Sequence, residues 1–180
     1  MNIAKTQGLV GRGFFSFLLF LVLVTVLLPA SDGQRVTLGI EGGKSWGASL
    51  SGPLLSAKLL LPVWGGLSLG GSYTHHFNPE RNGRSIKSRS LLFALEYKSR
   101  EAGRRLRWFV HGDAGLMSSR YFPDQDDYNE FGIGLGAGLE KPLSPHLAIR
   151  LDARVLANFN KDSIFGDAWG ETTLGLMVKL

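Results

Sequence analysis

Residues 131–140 read FGIGLGAGLE, with glycine at every second place: Gly132, Gly134, Gly136 and Gly138. Gly132, Gly134 and Ala137 also satisfy the loose dinucleotide pattern G-x-G-x-x-[GA]. That pattern cradles phosphate only where its glycines turn a strand into a helix. Here Lys141 and Pro142 follow, and then another alternating segment. Phe131, Ile133, Leu135, Ala137 and Leu139 occupy the places between the glycines. A strand sends successive side chains to opposite faces, so the stretch reads as a strand with one apolar and one lean side. The lean side is expected to leave room for long side chains opposite it, Arg150 and Arg154 among them.

The same period of two recurs along the chain. Segments 35–41, 54–61, 66–74, 90–97, 107–116, 147–155 and 172–180 alternate as 131–140 does, giving eight strands. In 54–61, Leu55, Ala57, Leu59 and Leu61 oppose Ser56 and Lys58; in 147–155, Leu147, Ile149, Leu151, Ala153 and Val155 oppose Arg150, Asp152 and Arg154. Apolar residues at the three- and four-residue spacing of a helix are missing. Short connections are expected at 62–65, 98–105 and 141–146. Longer ones are expected around 42–53, 75–89, 117–129 and 156–168, rich in turn formers such as HHFNPERNGRS and PDQDDYN. Short turns at one end and long loops at the other fit a transmembrane β-barrel.

The first residues carry Lys5 and Arg12, then the uncharged run FFSFLLFLVLVTVLL at 14–28, then Pro29, Ala30, Ser31, Asp32 and Gly33. This is the order of a secretory signal peptide, with cleavage after Ala30 or after Gly33. The alternative, an uncleaved anchor, meets a run shorter than the ~20 residues needed to span a bilayer. Residues 1–33 are therefore expected to be removed, leaving 34–180 as one domain. Removing them takes the formal charge from +5 to +4. The chain has no cysteine, which rules out disulfides, thiol-based metal or redox sites and a lipoprotein anchor. The modest basic excess is spread out and gives no reason to expect a nucleic-acid partner.

An exported all-β chain leaves two choices. A soluble, lipocalin-like barrel turns its apolar face inward, and a membrane barrel turns it outward. The faces opposite the leucines hold Gly, Ser and Thr with isolated charges of both signs, which suits the narrow interior of an eight-stranded barrel. Aromatics cluster near strand ends: Trp64, Tyr97 and Trp108 by the short turns, Tyr73, Phe77, Tyr128, Phe131 and Phe165 by the long loops. Two aromatic girdles suit the two membrane interfaces. In hydrocarbon every backbone polar group needs a partner, so only helices or closed barrels span. The expected fold is an all-β, eight-stranded, antiparallel, up-and-down transmembrane barrel.

The C-terminus adds a local signal. Thr173, then Gly175, then Val178 and Leu180 alternate to the last residue. With the eight segments, this resembles the small outer-membrane barrels of the OmpA/OmpX/opacity-protein class, whose terminal strand is read by the barrel-assembly machinery. Members of that class usually end on an aromatic residue, and Leu180 departs from it. The resemblance implies a monomer in the outer membrane of a Gram-negative type bacterium. It implies contact with outer-membrane lipid and lipopolysaccharide, and a structural or surface-interaction role through the long loops.

Parity places Glu41, Lys58, Glu96, Arg107, His111, Asp113, Glu140, Arg150, Asp152, Arg154, Glu171 and Lys179 on the lumen side. Six acids and five bases with one histidine are nearly balanced, as expected of an ion-pair network plugging the barrel. A selective narrow pore is the alternative. His111 and Asp113 resemble a catalytic base and its orienting acid, and small outer-membrane barrels include lipid A deacylases and palmitoyltransferases. A hydrolase needs a nucleophile beside the base. The His-x-Ser motif of the deacylase family has no counterpart in RLDARVLANFN, and His75 and His76 are expected at a solvated loop edge. No catalytic site, cofactor or metal is therefore expected. Asp124, Asp126 and Asp127 lack the glycine and distal glutamate of an EF-hand calcium loop. Arg81, Arg84, Lys87 and Arg89 form a basic cluster on a loop, either hydrated or facing lipopolysaccharide phosphates; Arg100, Arg104, Arg105 and Arg107 form another at the opposite end.

Overall fold

The computed structural model describes residues 35–47, 50–77, 79–81, 84–99, 106–121, 127–159 and 167–180. The leader at 1–33, the turn at Asn82 and Gly83, and Arg100, Arg104, Arg105, Asp124, Asp126 and Phe165 lie outside them. For Arg81, Arg84, Asp127 and Tyr128 only the backbone is described.

Eight long strands account for the described chain: β1 (Thr37–Trp46), β2 (Gly52–Trp64), β3 (Leu67–His76), β4 (Arg84–Lys98), β5 (Arg107–Tyr121), β6 (Asp127–Pro142), β7 (Leu147–Phe159) and β8 (Ala168–Lys179). Each pairs antiparallel with the next. β1 also pairs with β8, Leu38 opposite Val178, so the sheet closes and no edge is left. A two-residue strand, Glu80–Arg81, extends the rim against Arg84 and Ser85. Among the described residues no helix is long and apolar enough to cross a membrane.

Burial alternates around the ring. Ile40, Leu69, Phe93, Leu116, Leu135, Leu151 and Leu174 are exposed on the outside, Leu135 at 75%, while the intervening charged and small residues are buried inside. A water-soluble chain buries such side chains; this continuous apolar jacket belongs against lipid. Leu61 is buried although it stands opposite the outward Leu69. It adjoins a register shift between Pro62 and Trp64, where proline has no N–H to offer the ladder.

The connections differ from expectation. β4 begins before Ser90 and β5 runs beyond Leu116, so much of 75–89 and 117–129 is paired strand. Turn-rich composition marked these segments as loops, but their alternation continues with polar residues on the outer face. The β2–β3 turn is Gly65–Gly66 alone, both at positive φ (62° and 93°). Glycine suits this tight hairpin because it carries no Cβ to clash there. The marked contrast of short turns and long loops is thus reduced, and the strands themselves extend past the apolar band.

Both proposed girdles contain exposed rings. Tyr97 and Trp108 pair at 5.7 Å between centroids at the end holding Arg35 and Leu180, and Trp64 is exposed nearby. Phe131 stacks on Phe159 at 6.1 Å towards the other end, where Trp46 and Phe77 are also exposed.

Candidate functional site

Every one of the twelve charged residues singled out by parity lies on the inner face. Ten are buried: Glu41, Lys58, Glu96, His111, Asp113, Glu140, Arg150, Asp152, Arg154 and Glu171. Arg107 and Lys179 are half-buried, and Arg107 stands across the ladder from Glu140.

The charges fall into three levels. Nearest the Leu180 end, the Glu140 carboxylate accepts from Lys98 Nζ at 2.6 Å and pairs with Lys179 Nζ at 3.2 Å. In the middle, Arg150 reaches three carboxylates: Glu96 at 2.7 Å, Glu41 at 3.3 Å and Asp152 at 3.4 Å. Its guanidinium lies 3.4 Å over the Phe109 ring, a cation–π contact that desolvation strengthens. Lys58 joins Asp152 at 3.1 Å to Glu41 at 3.5 Å, and Thr173 Oγ1 donates to Glu41 at 3.2 Å. In the upper level, Arg154 donates through Nε (2.8 Å) and Nη2 (2.6 Å) to Glu171, and through Nη2 to Thr74 at 3.0 Å.

His111 links the upper two levels. Its Nε2 lies 3.0 Å from Asp152 and its Nδ1 2.9 Å from Asp113. Both ring nitrogens are thus occupied by carboxylates, inside a lumen where Asp113 also faces Arg154 at 3.7 Å. The geometry is that of a charge bridge. Among the described residues no group of three His, Asp or Glu side chains is placed to hold a metal ion.

The lean wall makes this network possible. A Cβ on Gly136 would strike the His111 ring and the Arg154 stem, and one on Gly138 would strike the Phe109 ring and the Leu151 carbonyl. Arg154 therefore uses glycine space directly, and Arg150 uses it through Phe109.

Several lumen residues escaped the sequence reading, His76, Lys98 and Trp169 among them. His76, expected at a solvated loop edge, is buried, with Nε2 2.9 Å from Glu171. β3 simply continues to it with unbroken parity, so extending the alternation by two residues would have found it. Lys98 looked like turn and is the last residue of β4. Trp169 precedes the expected start of the last strand, yet donates Nε1–H to Glu171 at 3.0 Å.

Buried apolar residues lie towards the end away from Leu180. Leu50, Ile86, Leu92, Met117, Leu156 and Trp169 form one buried cluster above the charges. Leu60, Ala148 and Met177 form a second towards the other end. In the terminal strand, Thr173 and Gly175 face inward and Val178 outward, while Leu180 N donates to the Val36 carbonyl at 2.8 Å.

A closed, eight-stranded antiparallel barrel with an apolar jacket and a charged, filled interior has the fold of the small outer-membrane β-barrels. Solved structures agree. Neisserial surface protein A aligns with a TM-score of 0.62 at 16% identity, covering 83% of this chain and 98% of its own. A major outer membrane protein from Thermus thermophilus aligns at 0.54 and 14% identity, covering 81% and 99%. A de novo designed transmembrane β-barrel aligns at 0.51 and 14% identity, covering 85% and 100%. No protein-family model and no curated protein matches the sequence.

Proposed function

We propose that this protein resides in the outer membrane as a non-conducting, non-catalytic barrel that acts through its outer rim and lipid-facing surface. The observation that carries this reading is the filled lumen. Among the described residues, three levels of paired charge lie under a buried apolar cluster and occupy the interior. A conducting pore needs a water-filled interior, and eight strands give an interior that side chains fill. Catalysis at His111 is disfavoured by the same enclosure, since lipid on the outer wall has no route to a buried ring held by Asp113 and Asp152. The end holding Arg35 and Leu180 is assigned to the periplasm, and the rim near Trp46, Phe77 and Phe159 to the cell exterior.

Purified protein in planar bilayers should give no reproducible conductance steps, and cells expressing it should keep an unchanged lipid A mass spectrum. Stepwise conductance would overturn the plugged lumen. A lipid A mass change that disappears in His111→Ala would overturn the non-catalytic reading.

A further inference from the structure

At the end holding Leu180, the lumen carries more positive than negative charge. Three inward cations stand at strand ends there: Lys98 closes β4, Arg107 opens β5 and Lys179 closes β8. Lys98 and Lys179 both reach Glu140 on β6, at 2.6 Å and 3.2 Å. Arg107 stands directly across the ladder from that same Glu140, yet it joins neither pair. Its Nε is buried and has no hydrogen-bond partner among the described residues. Glu96 is the next acid inward, 3.7 Å from Lys98, and Arg150 holds it at 2.7 Å. Among the described side chains, three cations therefore face two acids, and one of those acids is shared with a fourth cation.

Burial sets which way the excess points. The Glu140 side chain has no exposed surface, while those of Lys98 and Lys179 are 17% exposed and Arg107 is half-buried. The carboxylate lies beneath, and the cationic heads lie above it towards the aqueous mouth. An ammonium has three donors and a guanidinium five, so most donors remain once Glu140 is satisfied. A buried donor left unpaired is costly, and like charges held together repel. A bound anion relieves both. A planar fork beside two point charges suits a phosphate group, which offers several acceptor oxygens and up to two charges.

We propose that Lys98, Arg107 and Lys179 form a phosphate-binding recess inside the mouth at the Leu180 end. It is filled from the aqueous side by free phosphate or a soluble phosphate ester, because the three cations face the lumen and not the lipid. The inference rests on the inserted, filled barrel proposed above. Arg107 is the residue given over to the ligand: Lys98 and Lys179 also hold Glu140, whereas Arg107 has no ion pair among the described residues.

The test uses the full barrel folded into phosphatidylcholine vesicles. Inorganic phosphate is present on both sides of the bilayer, with sodium chloride at matched ionic strength as reference. The temperature at which the compact gel band converts to the unfolded one is followed. Phosphate should raise that temperature above the reference, and the rise should saturate. Arg107→Gln should need about 10-fold more phosphate for the same rise, the loss of one charge-assisted contact. Without phosphate, Arg107→Gln should convert at the native temperature or higher, because no ion pair is broken. Lys141→Gln, an exposed cation at the same end, should respond to phosphate like the native chain. The site is overturned if Arg107→Gln keeps the native response, if Lys141→Gln loses it equally, or if Arg107→Gln is destabilised without phosphate, as a structural partner of Glu140 would be. Phosphatidylglycerol vesicles separate the two sources of phosphate. If they produce the rise unaided and abolish the response to inorganic phosphate, a lipid headgroup fills the recess and the aqueous site is overturned. Absence of any compact, heat-modifiable band in phosphatidylcholine would instead overturn the barrel reading, and the site with it.

Discussion

Arg150→Met should lower the unfolding free energy of the folded barrel by about 3–5 kcal/mol. Arg150 is fully buried and sits within 3.4 Å of carboxylates from three other positions, Glu41, Glu96 and Asp152. Removing it leaves like charges facing one another in a space with little water. Lys58 still holds Glu41 and Asp152, but among the described residues Glu96 keeps only Lys98 at 3.7 Å. A buried ion pair is weak support for stability when compared with a well-packed apolar set, yet breaking one side of it is costly. The expected order is therefore native, then Arg150→Lys, then Arg150→Met. Lysine restores the charge but neither the forked reach to several carboxylates nor the flat contact with Phe109. Adding Glu96→Gln to Arg150→Met should recover part of the loss. Urea unfolding in vesicles, read by the gel shift, measures all four. If Arg150→Met unfolds at the native midpoint, the lumen network does not hold the barrel together.

Leu135→Arg probes the other face. Leu135 lies at the centre of the glycine-alternating stretch of β6, between Gly112 on β5 and Val155 on β7, and is 75% exposed. Arginine at the midplane of a lipid-facing strand costs about 2–4 kcal/mol. On the surface of a water-soluble barrel the same change falls within about 0.5 kcal/mol. The two environments thus separate cleanly. A loss of roughly the larger size in vesicles is expected, together with a smaller one for Phe131→Arg, which lies nearer the interface. Equal stability of Leu135→Arg and native protein would mean that this face meets water.

The parts of the molecule legible in the sequence are those governed by a period of two. FGIGLGAGLE and LAIRLDARV show it without interruption, and their inward and outward faces follow from counting. Strand ends were less legible because the criterion changes there. Above the lipid, β4 and β5 exchange leucine for Lys87, Arg89, Ser118 and Arg120 on the outer face, so composition says loop while the ladder continues. His76 and Lys98 were missed because each is the last residue of its strand. The pairing of charges was not legible at all. That Arg150 meets Glu96 from β4 and Glu41 from β1 depends on shear and register, and one sequence does not fix these. The glycines were read correctly as space, but not what fills it: the His111 ring over Gly136 and Phe109 over Gly138.

The inversion of the faces is tested most directly on β6. The chain has no cysteine, so single nitroxide labels can be placed at 131, 133, 135, 137 and 139 without background changes. In lipid vesicles, collisions with dissolved oxygen should peak at position 135 and fall towards 131 and 139, while a water-soluble paramagnetic complex shows the opposite trend. If the water-soluble reagent reaches position 135 as readily as position 131, the apolar jacket does not face a membrane and the barrel is not inserted.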